Sequence, residues 1–234
     1  SYVSLLGGSL HSQTVSGPAG KPVEAQYGLL PDGRVVMEMA ACAGLPLMEG
    51  RLDPLNASTY GLGELIGHVA NSGCKRLLMG LGGSASNDCG IGMAAALGYR
   101  FLDGSGRELE ALARNLGAVE DIVPPEKLPD MEICAACDVD NPLCGPRGAA
   151  LVFGPQKGLK PREAAAHDKA MEHFAGLLKE KLGRDVKDVP GAGAAGGLGA
   201  GMLAFLNARL QPGIELLLDS ADFDSLLDLS LIHI

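Results

Sequence analysis

The stretch Gly80-Leu81-Gly82-Gly83-Ser84-Ala85-Ser86-Asn87-Asp88-Cys89-Gly90 concentrates residue types that handle an anion. It leaves an apolar run, Lys75 to Leu81, that reads as a buried strand, and it enters a segment that reads as a helix. Free amides at such a junction, backed by the positive end of a helix, attract phosphate or carboxylate. Gly82 and Gly83 allow close approach of the backbone, and Ser84 and Ser86 add hydroxyl donors. Asp88 brings negative charge to the same place, which suits a Mg²⁺ ligand or a base that takes a hydroxyl proton. An aspartate there also serves as the N-cap of an ordinary helix.

A second cluster is Cys137-Asp138-Val139-Asp140-Asn141-Pro142. Asp138 and Asp140 lie two apart, so in an extended chain both carboxylates face one way and can hold Mg²⁺ through water. An Asx-turn that stops a strand before Pro142 explains the same residues. Cys134 and Cys137 have C-x-x-C spacing, but the strand context and the lack of a second ligand pair speak against zinc. Lys157, set in Gly154-Pro155-Gln156-Lys157-Gly158, can reach a phosphate as a mobile point charge. No G-x-x-x-x-G-K-[ST] occurs, which excludes a Walker-type loop.

The richest glycine tract is Pro190-Gly191-Ala192-Gly193-Ala194-Ala195-Gly196-Gly197-Leu198-Gly199. Gly191, Gly193 and Gly196 satisfy G-x-G-x-x-G, with Asp219 following at a plausible distance, so an NAD-type dinucleotide-binding oxidoreductase is one reading. The charged run Arg184 to Pro190 makes a poor buried first strand for it. A helix-start anion site, served by Gly193, Gly196 and Gly197, is the other. His167 and His173, on a polar stretch, read as solvated.

These groups need elements to position them. Residues 9–28 read as extended, Pro31-Asp32-Gly33 as a turn, and Arg34 to Met39 as a strand. A helix opens at Thr59 and ends near Gly73. After the Lys75–Leu81 strand come a helix from about Asp88 to Leu97, a strand at Tyr99–Leu102, a helix over Glu108–Leu116 and a strand over Met131–Val139. Pro161 to Leu182 is the clearest helix, with Met171, Phe174, Leu178 and Leu182 at helical spacing. A helix to about Leu210 and a strand over Gly213–Leu218 close the list. Alternating strands and helices predict an α/β fold, and the hairpin near the start predicts a mixed rather than a purely parallel sheet with flanking helices.

The chain of 234 residues carries 19 basic and 28 acidic side chains, a net charge of −9. That balance argues against a partner made of nucleic acid or an anionic membrane, and no apolar run is long enough to span a bilayer. The six scattered cysteines suggest a reduced, cytoplasmic protein in which they act as small buried hydrophobes.

In combination, the segments VEAQYGLLPDG, EMAACAGLPL, STYGLGELI, GLGGSASNDCGIGMAAALGYRFLD, CDVDNPLCGPRGAALVFGPQKG and PGAGAAGGLGAGMLAF resemble the bacterial-type glycerate kinase family, from about Gly7 to Leu227. The resemblance implies a kinase that phosphorylates D-glycerate with ATP and Mg²⁺. It implies a Rossmann-like domain into which a second α/β domain is inserted, with residues 1–210 mostly the inserted domain and 211–228 the return. It further implies Asp88 and Lys157 as catalytic groups, with Asp88 near the glycerate hydroxyl and Lys157 on phosphate. Ser84, Asn87 and Arg147 would bind substrate, Gly82, Gly83, Gly193, Gly196 and Gly197 the nucleotide phosphates, and Asp138 and Asp140 the metal. Cys89 stands where the family more often has glycine. A D-G-G-E-G-T element before Ser1 and further elements from Leu229 on are expected but not seen, and Leu229–Ile234 reads as a foreign tail. The chain is therefore expected to be an internal piece that does not turn over glycerate by itself, with a homo-oligomer allowed. A non-catalytic sugar-acid-binding domain is the remaining alternative.

Overall fold

Residues 2–215 are described by a computed structural model. After a short helix α1 (Tyr2–Leu5), strands β1 (Ser9–Ser16) and β2 (Pro22–Leu29) pair antiparallel, from Ser9 opposite Leu29 to Ser16 opposite Pro22. Ala25 is buried while Glu24 and Gln26 face out, the period-two pattern of a half-covered sheet. The Pro31-Asp32-Gly33 turn leads into β3 (Val35–Glu38), again antiparallel.

Short helix α2 (Ala40–Ala43) and a 3-10 turn (Leu45–Met48) then carry the chain towards α3 (Tyr60–Asn71). From β4 (Arg76–Gly80) onward the pairing is parallel: β4 lies between β3 and β7 (Glu132–Ala136), and β8 (Arg209–Gln211) extends β7. The six strands run in the order β1-β2-β3-β4-β7-β8. A mixed sheet with flanking helices is what the sequence predicted.

Between β4 and β7 the chain forms α4 (Ile91–Ala96) and a two-stranded sheet of β5 (Arg100–Leu102) and β6 (Asp121–Val123). The predicted helix over Glu108–Leu116 is absent; irregular chain and a 3-10 turn (Ala113–Ala118) stand in its place. After β7 come α5 (Ala149–Val152), a 3-10 turn (Pro155–Lys157), α6 (Pro161–Leu182) and α7 (Ala194–Leu206). Helix α6 has the predicted bounds. Pro161 opens it, Glu163 bonds back to the Lys160 amide, and Gly183 closes it at φ 68°. Its apolar stripe places Phe174 among Phe101 and Phe205, with ring centroids 6.1 and 6.4 Å away.

Helix α7 ends at Leu206, short of Leu210, because Asn207 turns left-handed and Arg209–Gln211 joins the sheet. The predicted Gly213–Leu218 strand is not seen at its start, since residues 213–215 are helical. Its remainder, Asp219 and the 229–234 tail lie outside the described residues.

Candidate active site

In parallel sheets, ligands sit beyond the carboxyl ends of the strands. Strand β4 ends at Gly80 and β7 at Ala136, and a cavity of about 250 Å³ opens there. Gly82, Gly83 and Ser84 from the β4 exit line it, with Cys137 and Asp138 from the β7 exit. Lys157 comes from the 3-10 turn, and Ala194 and Ala195 from the glycine tract. The two Gly-rich segments singled out in the sequence thus meet at one cleft.

Lys157 forms the floor. Its Nζ donates to the backbone oxygen of Ser86 at 2.7 Å and bonds the Ser84 hydroxyl. Ser84 and Lys157 are both buried. Burial pushes the Lys157 amine down to about 7, against the pull of the nearby Asp88 carboxylate. Among the described residues, no hydrogen bond uses the amides of Gly82, Gly83 and Ser84. They are available to an anion.

Asp88 is in a different position from the one its sequence context suggested. It is fully buried, and four donors fill its two oxygens. Oδ2 accepts from the Thr59 amide (2.9 Å) and hydroxyl (2.8 Å), and Oδ1 from Ser86 Oγ and the Gly90 amide, both at 3.2 Å. It does not line the cavity. In this arrangement Asp88 fastens the loop to helices α3 and α4. Asn87 is likewise behind the wall, fully buried against Gly196, with neither side-chain polar atom partnered.

The glycine tract contributes shape more than donors. A methyl group on Gly196 would lie 2.2 Å from Ser86 O, and one on Gly193 would lie 2.3 Å from Pro142 O. The Gly193 amide is spent on Asn141 O, and the Gly197 amide on Gly193 O. Ala195, Gly196 and Gly197 all have positive φ, a left-handed turn that presses backbone against the 86–89 loop. None of Gly193, Gly196 or Gly197 lines the cavity, so the expected phosphate role for them is not met by this geometry. The dinucleotide reading fails for a second reason. Residues 183–189 that precede the tract are irregular, whereas that motif must leave a strand.

Asp138 and Asp140 both line an adjoining cavity, and Asp138 alone also borders this one. Asp138 lines the cavity and accepts the Gly213 amide on Oδ1 at 2.7 Å; among the described residues nothing bonds Oδ2. Asp140 is exposed and ion-paired with Arg147 at 2.9 Å, and neither lines this cavity. Cys134 Sγ donates to Gln211 Oε1 and Cys137 Sγ to Val139 O.

His167 and His173 correct the solvated reading. His167 is buried and its Nε2 bonds Asn87 O at 2.7 Å, while His173 Nε2 bonds Val119 O at 2.8 Å. Burial holds the His167 imidazole below its ordinary range, so it is neutral and donates. The signal was available: 167, 171, 174 and 178 fall on one helical stripe. Thr59, which no motif flagged, bonds Asp88 and also accepts the Met93 amide at 2.9 Å.

A family model described as the glycerate kinase family matches residues 1–232. Glycerate kinase of Bacillus subtilis (strain 168) is 44% identical over 232 residues, covering 97% of this chain and 60% of that protein. Glycerate 2-kinase of Escherichia coli (strain K12) is 45% identical over 208 residues, 86% of this chain and 54% of its own length. A crystal structure of a Salmonella typhimurium LT2 protein assigned as glycerate kinase 2 superposes with a TM-score of 0.92 at 39% identity, covering 96% of this chain and 61% of that one. The chain spans between 54% and 61% of the length of these relatives.

Proposed function

From the premise that this chain belongs to the glycerate kinase family, we propose that it forms part of an enzyme that transfers the γ-phosphoryl group of ATP to a hydroxyl of D-glycerate. The observation that carries the reading is the buried Lys157–Ser84 pair at the floor of a cavity rimmed by unused amides. Phosphoryl transfer asks for positioning and charge stabilisation rather than a covalent nucleophile. Ser84 and Lys157 meet the acceptor hydroxyl, and the amides of Gly82 and Gly83 meet phosphoryl oxygens.

The donor set also fits Mg²⁺ that arrives with ATP. Among the described residues no cluster of three His, Cys, Asp or Glu could hold an ion alone. Mg²⁺ usually needs only one or two carboxylates beside phosphate and water, and Asp138 Oδ2 supplies one. Such an ion neutralises phosphate charge. Asp88 positions the loop, and Asp140, which lines the adjoining cavity with Asp138, pairs with Arg147.

The domain division follows the same reading, with residues 1–210 mostly the inserted α/β domain and 211–228 the return to a Rossmann-like one. Among the described residues no helix is long and apolar enough to cross a membrane, in keeping with a cytoplasmic enzyme that takes small-molecule substrates. The test is a coupled assay on the full-length protein. ADP release that requires D-glycerate supports the reading; glycerate binding without ADP release rejects it in favour of a sugar-acid-binding protein.

A further inference from the structure

Transfer of a phosphoryl group to a hydroxyl needs an acceptor for the hydroxyl proton. The structure takes Asp88 out of reach for that task, since it is sealed from the cavity and its oxygens are filled. Asp138 is exposed at the rim and tied to the Gly213 amide. The floor offers Ser84, which lines the cavity and is bonded to Lys157.

We propose that Ser84, which lines the cavity, passes the proton of the glycerate hydroxyl to the Nζ of Lys157 bonded behind it. The inference rests on the kinase reading above and names the proton acceptor of that site. In the step, the glycerate oxygen bonds the γ-phosphorus of ATP while the bond from that phosphorus to the β–γ bridging oxygen breaks. ADP leaves with the electron pair. The glycerate proton moves to Ser84 Oγ as the proton of Ser84 moves to Lys157 Nζ, so atoms and charge balance with ATP as the co-reactant.

The partners of Lys157 suit that form. A neutral amine has two N–H donors and one lone pair. Nζ donates to Ser86 O at 2.7 Å and lies within hydrogen-bond distance of Ser84 Oγ, a contact in which it donates as drawn and in which rotation of the serine hydroxyl lets a neutral amine accept instead. Burial brings the amine to about 7, where both forms are populated. The charged and titratable groups around it are few. Asp88 from the β4 exit favours the ammonium, His167 from α6 is held neutral by burial, and Asp138 faces from the β7 exit across the cavity. Among the described residues, Lys157 is the buried lysine.

The test uses the full-length protein labelled with ¹⁵N-lysine. One side-chain amine is expected to titrate near pH 7 and to vanish in Lys157→Met. The kcat profile is expected to show an acid limb with the same midpoint, with KM for ATP little changed. Lys157→Arg, which keeps charge but cannot accept a proton at this pH, should lower kcat by about 10²-fold or more. Turnover of Lys157→Ala should return with small primary amines, in proportion to their free-base concentration. Lysines that all titrate above pH 9, or an arginine variant with wild-type kcat and no acid limb, would overturn the assignment. Wild-type protein that releases no ADP with D-glycerate would overturn the kinase reading instead, and that outcome is read before any variant is made.

Discussion

Lys157 Nζ and Ser84 Oγ are hydrogen bonded although 73 positions separate them in the chain. The bond ties the 3-10 turn Pro155–Lys157 to the exit of β4, so the two segments at the cavity floor are fixed to one another. Both ends are buried, and the consequence is measurable as stability.

Because the folded-state pKa of Lys157 is depressed to about 7 from 10.5, the unfolded chain binds more protons between those values. Stability should therefore rise with pH across this window, by up to about 1.4 kcal/mol per unit for one proton. Urea denaturation of the wild type and Lys157→Met at pH 7.0, 7.75 and 8.5 isolates the effect, because ionisation of the unfolded thiols near the top of this range is common to both proteins. The expected result is a smaller rise in the variant; equal slopes would mean that the lysine titrates normally.

Asp88→Asn removes the charge that four donors converge on and turns an N–H group towards them. The unfolding free energy is expected to drop by about 1–3 kcal/mol, the usual cost of leaving buried hydrogen-bonding groups mismatched. Unchanged denaturation midpoints would show that the Thr59, Ser86 and Gly90 contacts are not what fastens this loop.

Two glycine substitutions should differ in sign. Gly196→Ala puts a methyl group 2.2 Å from Ser86 O at a residue with φ of 73° and should cost at least about 1–3 kcal/mol. Gly176→Ala, on the exposed face of α6 with nothing within 4 Å, should gain about 0.5–1 kcal/mol from helix propensity. Thermal melts of both variants decide the pair.

His167 has a depressed folded-state pKa, so below about 6.5 the unfolded chain binds the extra proton and stability falls with pH. His167→Gln keeps an N–H for Asn87 O without a titrating ring. Its stability should fall less than that of the wild type between pH 7 and 5, measured by denaturant midpoint.

Legibility in the sequence followed the length of the signal. Helix α6 was readable to the residue because 22 positions carry one period and both ends carry stop chemistry. Strands β6 and β8 have three residues each, too few for any period, and Arg209–Gln211 looked like the tail of a helix. At the site, the motifs singled out Ser84, Lys157 and Asp138 separately, which line one cleft in the structure, but could not say which carboxylate faces it. Asp88 is sealed by Thr59, 29 positions earlier, and such a partner leaves no mark in local spacing. The glycines near 196 announced a close approach of backbone, and the body approached proved to be the neighbouring loop.

That approach has a mechanical consequence. Where Gly196 meets Ser86 O and Gly201 meets Cys89 O, peptide group rests on peptide group, and no rotamer exists to absorb a displacement. The Ser84–Cys89 side of the cleft thus behaves as a fixed jaw. Accommodation of differently shaped ligands falls to the other lining residues, where Phe153 and Val139 offer side chains that can turn.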